Sequence, residues 1–166
     1  SNTVQSYLTL VETLVIYALN IKGQGTSQVL KSFADCASES NLRLEIHVTK
    51  TGIRLSEIES NDNIALIRYS ENLFVRLFYQ VFFGLFYYRS NILVFGDLPI
   101  LFKKHHLFCQ NKLIFDNRYS NFKIRLFRRL FRFGLRWTSQ VLVQTKHMKL
   151  DFQKLYDKPV KIVRHP

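Results

Sequence analysis

The side chains best suited to chemistry follow short apolar runs of the chain. Asp97 comes soon after the run at residues 92–95, and Asp116 and Asn117 come directly after residues 112–115. If these runs are parallel strands, the polar residues lie at the carboxyl edge of the sheet, where α/β proteins bind ligands. A carboxylate there can accept a proton from a hydroxyl group or hold that group by hydrogen bonds. We take Asp97, Asp116 and Asn117 as candidate catalytic residues, with turns and helix caps as the alternative role.

A glycine-containing segment lies between the first apolar run and the first helical pattern. Its residues are Gly23, Gln24, Gly25 and Thr26. Glycines let the backbone approach a phosphate closely, and a helix N-terminus offers unpaired N–H groups and a positive dipole. The segment is not the dinucleotide-binding fingerprint, because Gln28 stands where the third glycine is needed, and it lacks the lysine of a P-loop. We take it as a candidate for binding a phosphate-bearing ligand, with a tight strand-to-helix turn as the alternative.

The segment KIRLFRRLFRFGLRW, residues 123–137, places its arginines on one side of a helix, within an arc of roughly 100°. These arginines are Arg125, Arg128, Arg129, Arg132 and Arg136. Leucine, phenylalanine and tryptophan cover the remainder of the helix, which is the composition of a helix lying on an anionic lipid surface. The alternative is a surface helix that docks its apolar side on the sheet and leaves its arginines in water.

Composition restricts the class of protein and the kind of partner. The chain has 166 residues, of which 47% are hydrophobic, so it is long enough for one folded domain and too apolar for disorder. Its net charge of +12 favours an anionic partner, either nucleic acid, an anionic membrane or a phosphorylated substrate. The longest apolar stretch, residues 77–88, is too short to cross a membrane, which takes about 20 residues.

We expect no metal site and no disulfide framework. His105 and His106 are adjacent and so point to different faces, and Cys109 does not complete a ligand cluster with them. Two cysteines without a CxxC spacing indicate reduced thiols in a reducing compartment.

Apolar runs alternate with helical patterns along the chain. The predicted strands are residues 14–19, 42–48, 64–67, 92–95, 112–115, 141–143 and 160–163. The predicted helices begin after a cap at Thr26 or Ser27 and cover residues 71–88, 122–137 and 148–156. This order predicts an α/β fold with a Rossmann-like, mostly parallel sheet and helices on both faces. Gln144 and Thr145 follow a predicted strand and join the candidate ligand-binding residues.

In pattern and order these pieces resemble the N-terminal domain of family-four-type GT-B glycosyltransferases over nearly the whole chain. LVIYALNIKGQGTSQVLKSFAD is similar to the opening strand, glycine loop and first helix of that family. NILVFGDLP and KLIFDN are similar to two later strands. SQVLVQTKHMKLDFQKLYDKPVKIVRHP is similar to the late strand, the following helix and the strand ending in His-Pro that leads into the second domain.

The resemblance implies transfer of a sugar from a nucleotide-sugar donor, without a metal ion, to an acceptor held by this domain. It implies a lipid-linked or envelope-glycan acceptor and a peripheral position on the cytoplasmic face of the cell membrane. In many members a histidine that contacts the sugar ends the strand similar to KLIFDN, and here Asp116 or Asn117 stands in its place. The family's donor-binding residues lie in a C-terminal domain. We therefore expect residues 1–166 to be the acceptor-side half, truncated before the donor-binding half or paired with a separate polypeptide, and inactive by itself.

Two other functions remain open. A basic α/β module without enzymatic activity would bind nucleic acid or a membrane through phosphate contacts. Because the basic residues concentrate on one amphipathic helix and no nucleic-acid-binding motif is present, we expect no nucleic-acid partner. An epimerase of GT-B-like fold would act on the nucleotide sugar itself.

Overall fold

Seven strands form one sheet in the computed structural model, which describes residues 13–21, 24–40, 42–50, 63–96, 98–110 and 121–163, with residues 24–26 described by their backbone alone. The strands are β1 (Thr13–Ala18), β2 (Arg43–Thr49), β3 (Ile64–Tyr69), β4 (Asn91–Phe95), β5 (His105–Phe108), β6 (Thr138–Val143) and β7 (Val160–Ile162). Their order is β3-β2-β1-β4-β5-β6-β7, and every neighbouring pair is parallel. The predicted α/β class and Rossmann-like sheet are confirmed, and the sheet is wholly parallel.

Helices cover both faces of this sheet. They are α1 (Gln24–Glu39), α2 (Leu73–Phe86), α3 (Phe122–Gly134) and α4 (Lys146–Leu155), and a 3₁₀ turn at Leu135–Trp137 follows α3. Helix α1 packs on one face with the core side chains Ile16, Leu44 and Phe95. Helices α2, α3 and α4 pack on the opposite face. This division follows from the strand order. The crossover through α1 runs towards β3, whereas the crossovers through α2, α3 and α4 run towards β7, and right-handed crossovers in opposite directions place their helices on opposite faces of the sheet.

The central strands β1 and β4 are apolar on both faces. Val15, Ile16, Val94 and Phe95 are each at most 1% exposed. Strands covered by helices on both sides need such continuous apolar runs, and this explains why they were the clearest strands in the sequence.

Local side-chain caps fix the starts of three helices. The side-chain oxygens of Asn72, Asn121 and Thr145 accept hydrogen bonds from backbone N–H groups in the first turns of α2, α3 and α4. Such caps satisfy N–H groups that have no partner within the helix. The candidate ligand-binding residue Thr145 therefore also has a structural role.

A loop without a helix joins β4 to β5 and fills the space between α2 and α3. A Cβ added at Gly134 of α3 would come within 2.9 Å of the Pro99 ring, and one added at Gly84 of α2 would collide with the carbonyl oxygen of Leu101. Glycine at both positions thus lets the two helices pack closely against the same loop.

Two sequence predictions of local structure are corrected. Helix α1 begins at Gln24, so Gly25 and Thr26 lie in its first turn and a cap at Thr26 or Ser27 was wrong. First-turn N–H groups need no partner within the helix, and a glycine there is tolerated. Strand β5 was not predicted, while the strand predicted at residues 112–115 lies outside the described residues.

Candidate functional site

The candidate site is the crevice at the carboxyl edge between β1 and β4. From β1 the chain moves to β2 on one side, and from β4 it moves to β5 on the other, so the strand order reverses here. The connections on either side of such a point diverge and leave an opening, where open α/β sheets bind ligands. Asn20 and Gly96 lie directly beyond the two strand ends.

A hydrogen-bond network holds the polar side chains of this crevice. Gln80 of α2 accepts from the Tyr17 hydroxyl at 2.9 Å and from the Asn20 amide at 2.7 Å. Its own amide donates to the carbonyl oxygen of Pro99 at 2.7 Å. Arg76 donates from Nη2 to Oδ1 of Asn20 at 3.0 Å. The network therefore joins the end of β1, helix α2 and the loop after β4, and it fixes the orientation of Asn20.

Arg76 places a half-buried positive charge beside the crevice. Within the described residues its Nε has no hydrogen-bond partner, and the ion pairs found there do not include it. Burial raises the pKa of the neighbouring Tyr17 hydroxyl strongly, and the Arg76 charge opposes that rise only in part. Tyr17 accordingly stays neutral, and the network presents a positive charge to the crevice. An anionic or hydroxyl-rich ligand suits that environment.

Gly96 borders the crevice at the end of β4. Its φ of +131° lies where L-amino acids are strained, and a Cβ there would stand 3.4 Å from Cβ of Asn20. The glycine thus allows the backbone after β4 to turn close to the backbone after β1.

The predicted site residues fall into three groups. Asp97, Asp116, Asn117 and Gly23 lie outside the described residues. Gln24, Gly25 and Thr26 form the start of α1, which follows β1 at the crevice, and their side chains are not described. Gln144 and Thr145 follow β6 at the same edge, two strands away from β4.

A second polar cluster, which the sequence did not reveal, lies beneath α2. His47 of β2 is fully buried and contacts Glu45 Oε1 at 2.9 Å and the Tyr69 hydroxyl at 2.7 Å. The Tyr87 hydroxyl donates to the same Glu45 oxygen at 2.9 Å. His47 faces the core because the ring of Phe83 in α2 covers this side of β2.

The pKa values in this cluster are shifted mainly by burial, which is typical of a structural role. Burial lowers the pKa of His47 despite the opposing effect of the Glu45 carboxylate. Burial also raises the pKa of Tyr69 to about 12 and raises that of Tyr87 strongly. These groups hydrogen-bond to one another, so the cluster anchors α2 to the sheet.

The histidine pair is divided between interior and surface. His105 is buried and His106 is exposed, as adjacent strand positions require. Nδ1 of His105 donates to the carbonyl oxygen of Lys103 at 2.8 Å, so Nε2, 3.2 Å from Thr138 Oγ1, accepts. Among the residues that the structure describes, no group of three or more His, Cys, Asp or Glu side chains could hold a metal ion.

A cavity of about 390 Å³ opens near the other, amino edge of the sheet. Leu14, Asn91, His105 and Ser139, at or near the starts of four strands, contribute to its lining. Most of its lining lies at the opposite end of the strands from the crevice. We place the functional site at the carboxyl edge, because the polar network and the reversal of strand order coincide there.

In the predicted arginine helix, the basic side and part of the apolar side are exposed to solvent. Arg125, Arg129, Arg132 and Arg136 are exposed, and Arg128 is half-buried. Phe131 is fully buried in the core beneath the helix. Other apolar side chains of the helix are exposed by 44–74%, namely Phe122, Leu126, Leu130 and Phe133. Docking on the sheet therefore explains only part of the apolar side of α3.

Comparison with models of known protein families gave no match, and comparison with curated proteins gave no significant match. None of the described helices has the combined length and apolar character needed to span a bilayer.

Proposed function

We propose that this chain is the acceptor-side half of a GT-B glycosyltransferase. In that role it transfers a sugar from a nucleotide-sugar donor to a glycan or lipid-linked acceptor, together with a donor-binding half. The observation that supports this most is the crevice between β1 and β4, where Arg76 and Asn20 present a charge and an oriented amide at the point of strand-order reversal. A sugar hydroxyl and a phosphate are the ligands that such groups bind well.

The roles proposed for individual residues follow from their place in the sequence, after strands or predicted strands. Gly23 and the start of α1, which contains Gly25, are proposed to bind a phosphate through backbone N–H groups. Asp97 directly follows Gly96 in the chain and is proposed to hold or deprotonate an acceptor hydroxyl. Asp116 and Asn117 are proposed to act on the same hydroxyl, as base or as hydrogen-bond partner. No metal ion or other cofactor is needed in this proposal.

The proposal also places Gln144 and Thr145 at the outer part of the donor or acceptor site. The arginines of α3 would hold the protein at an anionic membrane surface, so that a lipid-linked acceptor is within reach. The exposed apolar side chains beside those arginines favour lipid over nucleic acid, because phosphate contacts with nucleic acid do not need an apolar surface.

The test is sugar transfer by the longest natural protein that contains this chain. It would be incubated with a panel of radiolabelled nucleotide sugars and a membrane lipid extract. We expect labelled product in the lipid or glycan fraction, and a large loss of kcat/KM in Asn20→Ala. The control Asp35→Ala changes an exposed residue of α1 and should keep full activity. An epimerised nucleotide sugar without transfer would identify an epimerase, and no turnover with any donor would reject the proposal.

A further inference from the structure

Helix α2 turns its most apolar side away from the sheet. Six of its side chains follow helical spacing and are between 40% and 79% exposed. They are Phe74, Leu77, Phe78, Phe82, Leu85 and Phe86. A contiguous exposed surface of large apolar side chains marks an interaction site in soluble proteins.

The inner side of α2 carries its polar groups. Arg76 is the only charged residue of the helix, and it bonds to Asn20 at the end of β1. Gln80 bonds to Tyr17 and Asn20, and Tyr87, at the end of the helix, bonds to Glu45. An ordinary surface helix puts its apolar side on the core and its polar side in water. Helix α2 buries Phe83 in the core but turns its polar side chains inward too, and it leaves large apolar side chains on the outside. The outer side of α2 would therefore be stabilised by contact with an apolar environment outside the protein's own core.

The apolar surface continues from α2 to α3 across the loop after β4. Lys103 of that loop lies over the ring of Tyr88, 5.2 Å from its centroid. The exposed Phe102 ring lies 5.4 Å from Trp137, which lies 5.4 Å from Phe133 at the end of α3. The outer face of α2, this loop and α3 thus form one surface, here called the α2–α3 face.

Positive charge surrounds the α2–α3 face. Exposed arginines of α3 lie at one side, and the exposed Arg89 and Lys104 lie near the end of α2. Between residues 72 and 150 the sequence contains only two acidic residues, Asp97 and Asp116. Apolar side chains bordered by cations match the layering of acyl chains beneath anionic headgroups.

We propose that the outer face of α2 inserts into the acyl boundary of an anionic bilayer, while the arginines of α3 lie among the headgroups. The inference deepens the membrane association proposed above for α3, and it does not depend on sugar transfer. A second copy of the chain fits this surface poorly, because pairing through α2 would bring two arginine-rich helices together in a protein of net charge +12.

The test uses the single tryptophan of the chain, Trp137, as a probe at the edge of this face. The intact protein is mixed with vesicles of phosphatidylcholine, with or without phosphatidylglycerol, and with brominated lipids as quenchers. We expect Trp137 fluorescence to shift to shorter wavelength and to be quenched when phosphatidylglycerol is present. Salt at about 1 M shortens the Debye length to about 3 Å, so the attraction between the arginines and the anionic headgroups weakens. Because the inserted α2 side chains do not depend on charge, we expect part of the vesicle binding to remain.

Two variants separate insertion from simple charge attraction. The substitutions Phe74→Gln, Phe78→Gln and Phe86→Gln together remove three exposed rings. We expect vesicle affinity to fall by roughly 100- to 1,000-fold, from about 1–1.4 kcal/mol lost per partly inserted ring, with 1.4 kcal/mol equal to a factor of 10. The matched control Leu150→Gln changes an exposed leucine of α4 and should bind as the parent does. Circular dichroism of each variant verifies the fold, and the exposed positions leave the core intact.

Several results would overturn the inference. One is vesicle binding by the triple variant equal to that of the parent, with no quenching of Trp137. Another is a parent protein that ignores vesicles and forms a dimer which the triple variant dissociates, because this would assign the face to a second copy. Sugar transfer without vesicle binding would reject this inference alone, whereas vesicle binding without sugar transfer would reject only the proposed function.

Discussion

Arg76 of α2 donates a hydrogen bond from Nη2 to Oδ1 of Asn20 at the end of β1, over 3.0 Å. The bond links the two parts of the molecule to which we assign separate roles. Asn20 lies in the crevice at the carboxyl edge of the sheet, and Arg76 belongs to the helix whose opposite side is apolar and exposed. The packing of α2 on the sheet therefore determines both the shape of the crevice and the orientation of the α2–α3 face.

Replacing Gln80 with alanine should destabilise the fold. The substitution leaves the buried Tyr17 hydroxyl and the Asn20 amide without their acceptor. Each unsatisfied buried donor costs about 1–3 kcal/mol, so we expect the free energy of unfolding to fall by about 2–4 kcal/mol in urea titrations. Gln153→Ala, at an exposed position of α4, should change it by less than about 0.5 kcal/mol. Equal effects of the two substitutions would show that the network contributes little.

Stability should fall as the pH falls below the ordinary pKa of histidine. Burial lowers the pKa of His105 from 6.5 to about 4, so the folded state binds this proton less readily than the unfolded state does. The contribution is fully present above pH 6.5 and is lost progressively between pH 6.5 and 4. The lowered pKa of His47 acts in the same direction.

The expected loss from His105 is about 3 kcal/mol, at about 1.4 kcal/mol for each unit of pKa shift. It is measured as the free energy of unfolding at a series of pH values. His105→Gln should flatten this dependence, whereas His147→Gln, at an exposed position of α4, should leave it unchanged. A parent protein equally stable at pH 7 and pH 4 would contradict the prediction.

Gly25→Val should reduce activity in the natural full-length protein while leaving the fold intact. A side chain in the first turn of α1 obstructs the approach of a phosphate to the backbone N–H groups. Because small displacements of a substrate cost much of the rate, we expect kcat/KM to fall by about 100-fold. The control Gln28→Val introduces the same side chain at an exposed position of the same helix. Unchanged kinetics in Gly25→Val would remove the phosphate role of this segment.

Charge reversal at Arg125, Arg129 and Arg132 should reduce sedimentation with anionic vesicles at low salt to background. Each basic residue near such a surface contributes about 1 kcal/mol, and glutamate adds repulsion. The matched control is Lys31→Glu, Arg43→Glu and Lys50→Glu, which changes net charge equally at exposed positions outside α3. If both triple variants lose binding alike, net charge decides the attraction and α3 has no special part in it.

The sequence was sufficient for most of the sheet and insufficient for its polar interior. Continuous apolar runs identify β1 and β4, because strands buried on both faces tolerate little else. Strand β5 has only four residues, and its first two are histidines, so it gives no apolar periodicity. His105 is buried there because Lys103 and Thr138 satisfy its ring nitrogens, and the contact with Thr138 spans 33 positions of the chain.

The position of the crevice was predictable in outline, but its side chains were not. Polar residues after strands indicate the carboxyl edge, and this rule selected candidate residues after β4 and β6. Gln80 and Arg76 lie in the middle of a helix, far along the chain from Asn20, and nothing in their spacing indicates that they turn inward. The inward orientation of these two polar side chains depends on distant partners, so the sequence of an apolar helix alone could not reveal which side faces out.

Helices α2 and α3 each lead from the carboxyl edge of one strand towards the amino edge of the next, so they run back along the strands. With both helices lying flat on a membrane, the strands also lie parallel to it, and the crevice opens sideways along the lipid surface. A lipid-linked acceptor would then arrive by lateral diffusion within the leaflet, while a water-soluble donor would enter from bulk solution. The search for the acceptor would take place in two dimensions, and its rate would depend on the density of acceptor in the leaflet.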